Sequence, residues 1–183
     1  MNIQYFATTS DHKLREVNHM LGYELEKIHL ELTEPQDMDV EVIARAKAEE
    51  AFQKVGELVL VEDFAWYLDV WNGLPGPFVK YFVQTVGSAG ILKMLGDEQN
   101  RKALAKTVVA YNDGTQVHVF VGELSGTVAT EMRGESGFGL DPIFIPDGHT
   151  KTFAEMSAEE KNSVSMRALA VNQLKEFLNQ ETA

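Results

Sequence analysis

The run Leu58-Val59-Leu60-Val61 is the feature that most narrows what this chain can become. Four aliphatic residues in succession leave no polar face, so the segment reads as a strand buried on both sides. It stops abruptly at Glu62-Asp63. Ahead of it, Asp39 is a candidate N-cap for a helix whose Ala44, Ala48, Ala51, Phe52 and Val55 share one apolar stripe. Earlier still, an apolar strand over residues 2–8 breaks at Thr8-Thr9-Ser10. A helix from Asp11 to Leu21 follows, with Gly22 as its stop. Strand and helix therefore alternate through the first third of the chain.

The pattern then changes. Ile28, Leu30 and Leu32 alternate with polar residues as in a half-buried strand, and a polar loop runs from Thr33 to Met38. Trp66 to Val70 reads as a separate strand closed by the turn Asn72-Gly73. Leu74-Pro75-Gly76-Pro77 launches a helix through Phe78 to about Gly87. Leu104–Tyr111 and Val117–Val121 flank Asn112-Asp113-Gly114 as a hairpin, and a third strand covers Glu123 to Thr130. Residues 131–151 are rich in Gly and Pro. A last helix from Ser163 to Asn179 turns Val164, Ala168, Val171, Leu174 and Leu178 inward. Alternation followed by antiparallel hairpins predicts an α/β fold with a mixed sheet. Without a repeat or linker, residues 1–183 read as one domain.

Charge limits the partners. Asp plus Glu number 28 and Lys plus Arg 16, for a formal net charge of −12. Such a chain repels a nucleic acid polymer at long range, though a few lysines gathered in one cleft can still hold a small phosphate ligand. The absence of Cys removes disulfides, thiolate metal sites and cysteine nucleophiles, and fits a reducing compartment. No stretch approaches the roughly 18 consecutive apolar residues of a membrane helix. The start carries no basic, apolar leader, so a cytoplasmic protein without a membrane partner is expected.

Chemistry concentrates at a few points. Glu62-Asp63, directly after the buried strand, sit where open α/β sheets place ligands, or are simply a solvated strand end. Glu34 is a third acid on a loop. If such carboxylates converge, they form the oxygen-rich site that Mg²⁺ prefers. Lys13 lies in the first turns of the helix beginning at Ser10, where free backbone N–H groups favour an anion. Lys80 lies near the start of another helix. Either lysine alone reads as a surface charge; together they point towards phosphate. Phe138, between Gly137 and Gly139, suits either a stacking platform or the core. No Gly-x-x-x-x-Gly-Lys-Ser/Thr loop is present.

In order along the chain stand Phe6-Ala7-Thr8 with Lys13 and Glu16, Glu34-Pro35-Gln36, and Ala46-Lys47-Ala48-Glu49-Glu50-Ala51. Val61-Glu62-Asp63, Asn72-Gly73-Leu74-Pro75-Gly76-Pro77 with Lys80, and Gly137-Phe138-Gly139-Leu140-Asp141-Pro142 follow. Thr152-Phe153-Ala154-Glu155-Met156, Glu160-Lys161-Asn162, Ser165 and Arg167 complete the set. With these motifs the chain resembles the inosine triphosphate pyrophosphatases. The resemblance implies an elongated α/β fold, with a long twisted mixed sheet flanked by helices and two lobes around a cleft. It also implies a homodimer and Mg²⁺-dependent hydrolysis (Mn²⁺ as a substitute) of ITP, dITP and XTP to a nucleoside monophosphate and pyrophosphate.

Site residues carry over one by one. By resemblance Glu34, Glu62 and Asp63 hold metal or orient water, with Asp63 the general base and Glu62 its catalytic neighbour. Thr8, Ser10, Lys13, Lys47 and Lys80 surround the phosphates. Phe138, Leu140, Asp141, Lys161, Met166 and Arg167 surround the purine. The chain departs from the family pattern at Thr9-Ser10, where Gly-Asn is usual, and at Phe64-Ala65-Trp66, where a hydroxyl residue and then a small one are usual. Leu140 replaces an aromatic, and Met166 replaces a His. These departures keep open a different or broader substrate set, or a nucleotide-binding sensor with little turnover.

Overall fold

Two kinds of strand pairing divide the sheet. In the computed structural model, which describes residues 3–181, strand β1 (Tyr5–Ala7) leads through helix α1 (Asp11–Leu21) to β2 (Glu26–Ile28), and helix α2 (Val40–Val55) leads on to β3 (Val59–Leu68). β1 lies parallel to both β2 and β3. Every later pairing is antiparallel: β3 with β4 (Pro75–Gly76) and, beyond helices α3 (Val79–Thr85) and α4 (Gly87–Leu95), with β5 (Lys102–Asn112). β5 then pairs with β6 (Val117–Val128), and β6 with β7 (Phe144–Pro146). Helices α5 (Ala158–Val164) and α6 (Met166–Glu181) end the described chain. The spatial order is β2-β1-β3-β5-β6-β7, with β4 off β3. This is the α/β fold with a mixed sheet.

Residues alternate between two covered faces. Val59 and Val61 pack with Ala44, Ala48 and Ala51 of α2, all essentially fully buried. Leu60 and Val109 face the other way, against Val17 of α1 and Ala170, Val171 and Leu174 of α6. The strand at 58–61 is therefore buried on both sides, because helices cover both. Local signals work as read: Asp39 Oδ1 caps α2 by accepting from the Glu41 N–H at 2.9 Å, and Gly22 ends α1 at φ +82°.

Several expected boundaries move. The strands expected at 58–61 and 66–70 are one strand, because β5 pairs with it continuously from Val61↔Ala110 to Leu68↔Ala103 and carries it through Glu62-Asp63. The two acids are thus mid-strand, not at a strand end. They nevertheless lie at a break in the sheet edge. β1 pairs only with Val59 and Leu60, and β4 only with Trp66 and Tyr67, so residues 61–65 have no described strand on that side. Ligand space opens just past the end of the parallel pairing.

The third strand merges with the second as β6, while the strand expected across Ile28, Leu30 and Leu32 lies earlier, as β2, and shares only Ile28 with it. α4 extends the helical region beyond Gly87, and a short strand, β7, lies within residues 131–151. The first strand begins at Tyr5, and the part of its expected span at residue 2 falls outside the described residues. The last helix is two helices, broken where Ser165 closes α5 and its Oγ accepts from the Ala168 N–H to start α6.

Gly122 explains how β6 accommodates α6. A Cβ there would lie 1.8 Å from the Met166 carbonyl oxygen, which is backbone and cannot swing aside. Gly122→Ala is expected to cost about 2 kcal/mol or more by overpacking. Chemical denaturation checks this, and an unchanged midpoint would contradict the close approach.

Candidate active site

The break in the sheet edge opens into a cavity of about 910 Å³, and every residue singled out above for metal, phosphate or base lines it. Lys13, Lys47, Lys80, Lys161 and Arg167 balance Glu31, Glu34, Glu62, Asp63 and Asp141 in its wall. The lining carries no net formal charge, in a chain whose total is −12. An anion can therefore approach this surface despite the overall charge.

One end is built on the start of α1. Ser10 is its N-cap, accepting from the Lys13 N–H at 3.3 Å, and Thr8 Oγ1 accepts from the Ser10 N–H at 3.1 Å. The hydroxyls brace the turn. Thr9 is exposed and is not among the positive-φ residues, so this loop does not need the glycine that is usual there. Lys80 is exposed on the cavity wall at the start of α3.

Glu34, from the loop before α2, meets Asp63, from β3, through one ammonium. Lys47 Nζ stands 3.1 Å from Glu34 Oε1 and 2.9 Å from Asp63 Oδ1. Burial pushes the Asp63 carboxyl up and outweighs the pull of Lys47 and Lys13. For Glu34 burial also pushes upward, but the charges of Lys47, Lys80 and Lys13 win and its pKa is lowered. Asp63 Oδ2 is buried and has no hydrogen-bond partner. Two carboxylates converging on one cation, one with a spare oxygen, form a donor set that fits a hard divalent ion.

Glu62 stands apart, which corrects the expectation of a three-acid cluster. As the next residue along a strand, it points to the opposite face from Asp63. Arg167 donates from Nε at 2.7 Å and from Nη2 at 2.9 Å to its two oxygens, and Lys13 Nζ lies 3.1 Å from Oε1. Among the described residues no three acids or histidines group as a metal site.

Burial alone would raise the Glu62 pKa. Arg167 and Lys13 overcome it and hold the value at about 2, below the ordinary 4.5. A depressed carboxyl contributes stability that is full above pH 4.5 and is lost as pH falls towards 2. The difference is about 3 kcal/mol. Denaturation of the wild type and of Glu62→Gln across pH 2 to 5 should show the gap between them closing as pH falls. A constant gap would contradict the pairing.

The other end of the cavity is aromatic and cationic. Phe138 is half-buried, with Lys161 Nζ 4.9 Å and Arg167 Cζ 5.8 Å from its ring centre, distances at which cations favour an aromatic face. Asp141 Oδ2 accepts from the Phe138 N–H and from Lys161 Nζ, each at 2.8 Å. A Cβ on Gly137 would lie 2.0 Å from that same oxygen, so the turn holding Phe138 requires glycine. Leu140 and Met166 are buried in the apolar wall behind, with Trp66, Phe144 and Phe153. The Trp66 indole N–H is buried without a partner.

Sequence reading left Glu16 without a role. Its carboxylate bridges Lys161, at 3.0 Å, and Arg167 Nη1, so it ties together the two cations beside Phe138. The available signal was its place three residues after Lys13, on the same helix face. His12 also went unassigned as a site residue, and its ring lies 5.1 Å from that of Phe138.

Fold and cavity together define an α/β protein whose cavity runs from the lysine-bearing start of α1 to an aromatic wall lined with cations. The chain belongs to the Ham1 family, which it matches over residues 4–177. It is 44% identical over 175 residues to a dITP/XTP pyrophosphatase of Pyrobaculum aerophilum, covering 94% of each chain. It is 42% identical over 183 residues to an inosine triphosphate pyrophosphatase of Kluyveromyces lactis, again covering 94% of each. Among solved structures, the Ham1 protein of Staphylococcus aureus superposes with a TM-score of 0.85 at 26% identity, covering 98% of this chain and 100% of the other.

Proposed function

We propose that this chain, acting as one domain, hydrolyses deaminated purine nucleoside triphosphates (ITP, dITP and XTP) to the monophosphate and pyrophosphate with Mg²⁺, clearing the nucleotide pool. The observation that carries the reading is the shared cavity. Glu34 and Asp63 converge at one end beside the start of α1, and Lys161 and Arg167 converge around Phe138 at the other. The names of the relatives at 42–44% identity support the substrate class.

Asp63 takes a proton from the water that attacks the α-phosphorus. Its raised pKa and unpartnered Oδ2 suit a general base. Lys13, Lys80 and the N–H groups at the start of α1 hold the phosphate tail. Glu34 and Asp63 are the residues that would hold Mg²⁺, whose chemistry when bound is to neutralise charge on the departing pyrophosphate.

On the base, Arg167 and Lys161 offer only donors. Arg167 spends three of its five N–H groups on Glu62 and Glu16. The remaining two suit a 6-oxo acceptor and meet an amino donor when ATP binds. Glu62 and Glu16 thus fix the orientation of the guanidinium.

Incubation with ITP and Mg²⁺ is expected to yield IMP and pyrophosphate. IDP and phosphate instead would overturn the reaction. A second reading, a broader set of triphosphates, is favoured by Leu140 and Met166, neither of which donates a hydrogen bond to a base. Equal rates on ATP and ITP would select it. We also propose a cytoplasmic homodimer, as the family resemblance implies. No described helix is long and apolar enough to cross a membrane. A light-scattering mass of one chain would remove the dimer.

A further inference from the structure

We propose that the Lys47 ammonium is the resident cation of the Glu34–Asp63 site, and that a divalent ion is admitted only as Lys47 leaves for the substrate phosphates. This deepens the proposed function and rests on it for the identity of the phosphates. Three observations carry it. Lys47 Nζ contacts both acids, at 3.1 Å and 2.9 Å, and its side chain is only 12% exposed. The two acids come from different elements, a loop and β3, and this ammonium is the group that joins them. The neighbouring cations do not share the position: Lys13 pairs with Glu62, and Lys80, exposed on the wall, has no ion pair among the described residues.

A second cation placed between the same oxygens would sit a few ångströms from the ammonium, and like charges at that range repel strongly away from bulk water. The flexible four-carbon stem of a lysine allows the exchange. A polyphosphate arriving in the cavity gives the ammonium another anionic partner, so nucleotide and metal enter together. In its absence the ammonium offsets part of the charge of the two acids and keeps them assembled.

The test measures Mn²⁺ binding to the nucleotide-free protein by paramagnetic resonance of the free ion. Lys47→Met is expected to bind Mn²⁺ at least roughly tenfold more tightly than wild type, and Lys80→Met to change affinity less than about threefold. Equal or weaker binding by Lys47→Met overturns the proposal, since the metal then coexists with the ammonium. Equal tightening in both variants also overturns it, because general charge would then be the cause. Should Lys47→Met not fold, Lys47→Gln serves the same arm. Hydrolysis plays no part in the readout, so a protein that fails to cleave ITP would refute the proposed function and leave this comparison intact.

Discussion

Asp63→Asn should lower ITP turnover by roughly 10²- to 10⁴-fold, the usual contribution of a positioned general base, while the protein stays folded. The amide keeps the shape and can still accept from Lys47, which lies 2.9 Å from Oδ1. It cannot take a proton from water. Because burial raises the Asp63 carboxyl and leaves Oδ2 unpartnered, little native stability depends on its charge. The loss should therefore appear in kcat, with KM for ITP and the thermal midpoint changing little. Steady-state kinetics with a matched melting curve measure both. Turnover within threefold of wild type would remove Asp63 from this role.

Arg167→Met should have the largest effect on stability, a loss of about 3–5 kcal/mol. Arg167 is 3% exposed, and Glu62, whose side chain is fully buried, depends on it for two of its three short contacts. Removing the guanidinium leaves a buried carboxylate with only Lys13. In a chain of this length that loss lowers the melting temperature by about 6–20 °C. Adding Glu62→Gln should restore part of it, because the stranded charge goes too. The pair is coupled, and the two changes will not add. A double variant no more stable than Arg167→Met would show that the guanidinium stabilises by packing instead.

The same network separates what could be read along the chain from what could not. Lys13, Glu34, Lys47, Asp63, Lys80, Phe138, Lys161 and Arg167 were all legible as site candidates, from local signals and motif order, and the cavity contains every one of them. The division of labour was not legible. Glu62 and Asp63 are adjacent in sequence and read as a pair, yet strand geometry sends them to opposite faces, one to Arg167 and the other to Lys47. Strand ends were misplaced for a related reason. Glu62-Asp63 resembles a terminus because two charges interrupt an apolar run, but pairing with β5 supplies the backbone hydrogen bonds and continues the strand.

By itself the sequence determined the alternation of buried strand and amphipathic helix and the caps at Asp39 and Gly22. These follow from periodicity and local hydrogen bonding, which act over a few residues. Only the tertiary structure decided which acid pairs with which base. Glu16 meets Arg167 across 151 positions, and Arg167 meets Glu62 across 105. Such choices depend on the register of β3 on β5 and on how closely α6 approaches Gly122, and long-range packing sets both.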